Sequence, residues 1–145
     1  MVALAAWSRL NLMAAKASPK SNAEFAGVFA ALKPVLGKFQ KRFTVKADTP
    51  IEYSVLTKIP SPFPQHKGQP LWFASIKVGK AYVSFHLMPV YMEPELQKII
   101  SPALKKRMQG KACFNFKTDP DAEVLADLKK LTEAATKNWA AKKWL

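Results

Sequence analysis

Residues 71–87 constrain the fold of this chain more than any other segment. LWFASIKV (71–78) and AYVSFHL (81–87) are two alternating runs separated only by Gly79-Lys80. Alternation with period two sends successive side chains to opposite faces of a strand. Glycine in the first of two loop positions suits a type II′ hairpin turn. In that hairpin Trp72, Ala74, Ile76 and Val78 share a face with Ala81, Val83, Phe85 and Leu87. That face is wholly apolar and has to be core. The other carries Phe73, Ser75, Lys77, Tyr82, Ser84 and His86, a mixed set. One apolar face and one semi-polar face indicate an antiparallel sheet covered by helices on one side.

The flanking segments supply those helices and further strands. Ser21-x-x-Glu24 is a capping-box pattern, and Phe25, Val28, Phe29, Leu32 and Leu36 follow at helical spacing. Pro34 is expected to kink or restart that helix. FTVKA (43–47) and IEYSVLT (51–57) read as strands joined by the Asp48-Thr49-Pro50 turn. KIPSPFPQHKGQP (58–70) reads as a long loop. Pro89 ends the hairpin, and Tyr91 falls on a connecting loop. Glu93-Pro94 and Ser101-Pro102 each open a short helix, the second stopped by Gly110. KACFNF (111–116) reads as a strand with Ala112, Phe114 and Phe116 on one face and Cys113 and Asn115 on the other. Asp119-Pro120 opens the last helix, whose stripe is Val124, Leu125, Leu128, Leu131, Thr132 and Ala135. Trp139 and Trp144 should pack back onto the body. Helix and strand do not alternate regularly, so the class is α+β: a mainly antiparallel sheet of about five strands, with the N- and C-terminal helices packed on one face. Trp72, Val83, Phe85, Phe29 and Leu128 should meet in its core.

A chain of 145 residues fits one domain, expected over 21–145. Residues 1–20 read as a flexible N-terminal extension. Its apolar run is too short for a secretory signal, and Met13 is a second candidate start. No apolar run approaches the roughly 18 to 20 residues needed to cross a bilayer, so no membrane partner is expected. A single cysteine excludes an internal disulfide framework, and the expected compartment is the cytoplasm. The net charge is +13 and unevenly placed. Residues 1–47 hold eight basic residues against Glu24 alone. Residues 98–117 hold Lys98, Lys105, Lys106, Arg107, Lys111 and Lys117 with no acid. Such blocks attract anions.

GKAYVSFHLMPVYMEPEL (79–96) and SPALKKRMQGKACFNFK (101–117) resemble the YdhG-like family of small bacterial domains of unknown function. The similarity extends more weakly over roughly residues 21–137. It implies a small α+β domain with a five-stranded sheet and packed helices. Some relatives are described as frataxin-like iron chaperones. Iron donation of that kind relies on an acidic helical face, whereas the first helix here carries one acid, Glu24, in a basic neighbourhood.

Candidate chemistry concentrates on the semi-polar face. His66, His86 and Cys113 are the candidate metal ligands, but they form no local motif, and neither metal nor cofactor is expected. Cys113 beside His86 is the one conceivable nucleophile and base. Ser84 lacks a nucleophile-elbow turn, and the glycines are scattered singly, so no enzyme is expected. Tyr82, Ser84 and His86 stand in a row, with Arg107, Gln109, Lys111 and Asn115 approaching from the basic segment and Tyr91 from the loop. Aromatic, hydroxyl and cationic groups together suit a small anionic ligand; the alternatives are a protein partner or a second copy of the chain. KKRMQGKACFNF interleaves basic and aromatic residues, as single-strand binding requires. Lys105, Lys106 and Arg107 are consecutive, however, and cannot all face one groove. Single-stranded oligonucleotide is therefore expected to bind without sequence preference, at about 10⁻⁴ to 10⁻⁶ M at physiological salt. Submicromolar, sequence-selective binding in a fluorescence-anisotropy titration would make nucleic acid the partner instead.

Overall fold

The computed structural model describes residues 19–145. The expectations for the N-terminal extension and for the start at Met1 or Met13 fall essentially outside them. The chain is α+β: a six-stranded antiparallel sheet with its two long helices on one face. Helix α1 (Pro19–Gly37) is followed by β1 (Phe43–Asp48), β2 (Glu52–Pro60), β3 (Pro70–Val78) and β4 (Val83–Leu87). Three short helices follow: α2 (Met88–Met92), α3 (Pro94–Lys98) and α4 (Pro102–Lys105). Strands β5 (Met108–Gln109) and β6 (Cys113–Phe116) and helix α5 (Ala122–Ala141) complete the chain. The strand order is β1-β2-β3-β4-β6-β5.

Cross-strand register explains the core. Tyr53 stands opposite Ile76, Ile76 opposite Phe85, and Phe85 opposite Phe114. None of these four side chains is more than 1% exposed. They form one apolar row across the middle of the sheet, flanked by Val55, Ala74, Leu87, Val83 and Phe116. Phe25, Val28, Phe29, Leu32, Val35 and Leu36 of α1 cover this face, as do Val124, Leu128, Leu131, Ala135 and Trp139 of α5. The Asp121 carboxylate accepts from the Val124 N–H and caps α5, as Ser101 caps Leu104 in α4. Trp144 meets Trp139 edge to face, with ring centroids 5.5 Å apart.

One expectation about the core is overturned. Val55 pairs with Ala74, but the next residue, Leu56, pairs with Trp72. Phe73 is the extra residue of a β-bulge, which breaks the alternation of β3. Phe73 and Ala74 both become fully buried, and Phe73 stacks on Phe43 at 4.3 Å and meets Trp139 edge-on at 5.4 Å. Trp72, expected in the core, is turned to the opposite face. The β2–β3 register shifts again between Leu56 and Pro60. There the buried Thr57 hydroxyl accepts from the Leu71 N–H and donates to the Ile59 carbonyl, replacing ladder bonds.

Other differences have local causes. Val78 pairs with Val83, and the Gly79 N–H donates to the Tyr82 carbonyl, so the hairpin turns at Lys80-Ala81 and not at Gly79-Lys80. A shift of two residues keeps every side chain on its face, which is why the core face of β4 was legible. A Cβ at Gly79 would stand 3.0 Å from that carbonyl, so the glycine serves the close approach of the strands. The expected 58–70 loop shrinks to 61–69, because β2 and β3 extend until Pro60 faces Pro70. Helix α1 runs through Pro34 and starts at Pro19, ahead of the expected cap at Ser21. β4 ends at Leu87, as Pro89 signals, but Pro89 takes the first turn of α2, so Tyr91 is helical and not on a loop. Helix α4 ends at Lys105, and Gly110, with φ +79, turns β5 into β6. The sixth strand, β5, is two residues long and carries no readable alternation.

Truncating Phe85 or Phe73 to alanine should each cost about 3–5 kcal/mol in urea unfolding, the range for a buried aromatic. Trp72→Ala should cost at least about 1 kcal/mol less than Phe73→Ala. The reverse order would show that the bulge is placed wrongly.

Candidate functional site

The same register that builds the core lays out the opposite face. One row runs Ser54, Ser75, His86, Cys113 and Gln109; the next runs Glu52, Lys77, Ser84 and Asn115. Tyr82, Ser84, His86, Gln109 and Asn115 thus share one face, which the alternation predicts for Tyr82, Ser84 and His86. Gln109 is the hub of its edge: its Oε1 accepts from the Asn115 amide at 2.7 Å and from the Tyr82 hydroxyl at 3.4 Å. Lys77 lies 4.0 Å from Glu52, its cross-strand partner.

His86 sits between this polar edge and a flat aromatic. The bulge delivers Trp72 onto its ring, with centroids 4.5 Å apart and planes within 15°. Burial, with Lys77 nearby, pushes the His86 pKa below its ordinary value of 6.5. The imidazole is therefore neutral at pH 7, and its buried Nε2 has no hydrogen-bond partner among the described residues. Cys113 lies directly across from His86, and burial raises its thiol pKa. Both shifts oppose a thiolate–imidazolium pair. The Cys113 thiol instead donates to the Asn115 Oδ1 at 3.6 Å. His66 is elsewhere, in the 61–69 loop, with its Nδ1 2.7 Å from the Ser61 hydroxyl. Among the described residues no three His, Cys, Asp or Glu side chains gather to hold a metal.

Tyr91 and Lys111 do not join the polar row. They face each other, with the Lys111 ammonium 5.9 Å from the Tyr91 ring centre. Tyr91 lines a cavity of about 630 Å³ at the start of β3. Its other walls are Phe63, Leu71, Trp72, Met88 and Met92, with Gln65, His66 and Gln69 as polar members. Trp72 also borders a smaller hollow of about 270 Å³ with Lys46, Ser54, Leu56 and Lys77. Met88, Tyr91 and Met92 are spaced i, i+3, i+4, which is the signal that MPVYM is a helix with an apolar face. Trp72 was hidden because the bulge reverses its parity. Arg107 stands apart from His86, its guanidinium 5.1 Å from the Phe116 ring centre. With Lys106, Gln109, Asn115 and Lys117 it borders a separate hollow of about 400 Å³. Lys106 and Arg107 thus share one concavity, and the expected scatter of the three consecutive cations holds only for Lys105, which does not line it.

No family model, characterised protein or solved structure matches this chain. No described helix is long and apolar enough to cross a membrane.

The His86 shift has a readable consequence. Above pH 6.5 the folded and unfolded chains both hold it neutral. Below that value the unfolded chain binds the proton first, so stability falls with pH until the folded value is passed. Urea unfolding between pH 7 and 5 should show this loss, and His86→Gln should remove that part of the slope. A ring-proton NMR midpoint for His86 at or above 6.5 would contradict the buried, neutral assignment.

Proposed function

We propose that this chain is a binding module for a small molecule, not an enzyme, and that the ligand's flat apolar body enters the cavity beside Trp72. The observation that carries this reading is the cavity itself. Its volume of about 630 Å³ lies within the roughly 300–1,000 Å³ usual for ligand sites. Three aromatic side chains, two methionines and a leucine wall it, and methionine adapts to irregular ligand shapes. Lys111, held at the Tyr91 ring, places a positive charge beside this wall and favours a ligand with one anionic group. A non-enzymatic role is supported by Cys113 keeping its proton opposite a neutral His86.

The reading extends to family and compartment. We assign the chain to the YdhG-like domains on the strings 79–96 and 101–117, with a bacterial cytoplasmic setting. A small α+β sheet with packed helices is the architecture that resemblance implies, with five strands where this sheet has six. A frataxin-like iron role gains no support from α1, whose one described acid is Glu24.

1-Anilinonaphthalene-8-sulfonate, a planar aromatic anion, is a suitable probe. It should bind the native protein with one-to-one stoichiometry and enhanced fluorescence, while near-UV circular dichroism stays native. Trp72→Ala and Tyr91→Ala should each weaken binding about tenfold or more, since each removes one aromatic wall. Unchanged dye affinity in both folded variants would remove the cavity from consideration.

A further inference from the structure

The hollow beside Arg107 is chemically unlike the apolar cavity and shares no lining residue with it. Its shape follows from a short piece of backbone. After α4 the Arg107 N–H donates to the Leu104 carbonyl, and the Arg107 carbonyl accepts from the Asn115 N–H at 2.8 Å. Met108 and Gln109 then pair with Phe114 and Cys113, and Gly110 reverses the chain. These bonds fix Lys106, Arg107 and Gln109 beside Asn115, Lys117 and Thr118 around a concavity of about 400 Å³.

The groups presented there are donors. Gln109 Oε1 is occupied by Asn115 and Tyr82, and Asn115 Oδ1 by the Cys113 thiol. The acceptor atoms of these two amides are thus consumed within the sheet. What remains is the Gln109 amide N–H₂, the Arg107 guanidinium, the Lys106 and Lys117 ammoniums and the Thr118 hydroxyl. No carboxylate lines the hollow. The nearest acid in sequence, Asp119, has its Oδ1 against Gly27 of α1, 3.7 Å from where a Cβ would stand. Neither Lys106, Arg107 nor Lys117 forms an ion pair among the described residues. Arg107 is half-buried, and its contact with the Phe116 ring holds the guanidinium plane in place before any ligand arrives.

We infer that this hollow binds the phosphate group of a small phosphate ester. Three cations around one concavity exceed what a carboxylate, with one charge and two oxygens, can use. A phosphate monoester carries about 1.5 to 2 negative charges and three acceptor oxygens, matching a guanidinium, two ammoniums and neutral donors. The volume leaves room for a small organic group beside the phosphate. The phosphate of a polynucleotide backbone has the same local chemistry, and the test separates the two sources.

Inorganic phosphate, phenyl phosphate and a twelve-nucleotide single strand are titrated into the full chain at constant ionic strength, followed by amide NMR. The expected result is saturable one-to-one binding of both small phosphates, with shifts concentrated at 106–109 and 115–118. Arg107→Gln and Lys117→Gln should each weaken phenyl phosphate about tenfold, the scale of one lost charge-assisted hydrogen bond. Lys129→Gln and Lys67→Gln, which line neither this hollow nor the apolar cavity, should leave it unchanged. Lys117 is exposed, so its variant reports even if the Arg107 variant is destabilised. Unsaturable shifts spread over surface lysines, or an equal loss in Lys129→Gln, would overturn the site. Oligonucleotide binding a hundredfold tighter than phenyl phosphate, with losses spreading to Lys38 and Lys41 variants, would overturn it in favour of a polynucleotide tract. Because the apolar cavity is separate, a failed dye titration leaves this result standing, and the reverse.

Discussion

The row Tyr53–Ile76–Phe85–Phe114 is the constraint from which the rest of the structure follows. Four large side chains meet across four strands, and α1 and α5 exist in this fold to cover them. Side chains alternate along a strand, so burying this row commits the residues between its members to the opposite face. Ser75, His86 and Cys113 are consequently neighbours, as are Lys77, Ser84 and Asn115. The polar row is a by-product of core burial. Moving β3, β4 or β6 by a single residue would bury polar side chains and expose phenylalanine, so the register of the candidate site is held by hydrophobic free energy more than by its own hydrogen bonds.

Where strands obeyed strict alternation, sequence and structure agree. Val83, Phe85 and Leu87 are core; Ser84 and His86 face away; Phe114 and Phe116 are buried and Cys113 and Asn115 are not. Trp72 and Phe73 mark the limit of that reasoning. Both are large and apolar, so the sequence offers no contrast from which to detect a one-residue bulge between Val55–Ala74 and Leu56–Trp72. The same limit applies to β5, too short to show a period, and to the prolines at 60 and 70, which face each other where the ladder is irregular. Of the expected site, the polar edge was legible and the apolar cavity was not, because its main wall depends on that bulge.

The bulge also decides the electrostatics of the open face. With Trp72 in the core, His86 would stand beside serines and water. With Trp72 stacked on it, the imidazole loses solvent, and its pKa falls below the ordinary 6.5, so it is neutral at pH 7. The face therefore has an uncharged centre, although the chain carries +13. Part of the remaining charge is locally matched: Lys33 pairs with Asp48 at 2.7 Å, Lys142 with Glu93 at 3.2 Å, and Lys77 approaches Glu52. Among the described residues Lys106, Arg107 and Lys117 stay unmatched at the β5–β6 edge.

This separation has a chemical logic. A protonated histidine stacked against the tryptophan wall of an apolar cavity would disfavour the ring stacking that this wall offers, because the charge would hold water beside it. A phosphate hollow needs the opposite: fixed cations, no competing carboxylate and enough solvent contact to admit a charged ligand. Both demands are met on one sheet because its two ends are finished differently. A helix with an apolar face, α2, and the 61–69 loop close one end, while a two-residue edge strand and the turn before it leave the other open. His86, neutral and stacked on Trp72 outside the cavity lining, is the boundary between them, and its protonation would bring charge against the back of the tryptophan wall.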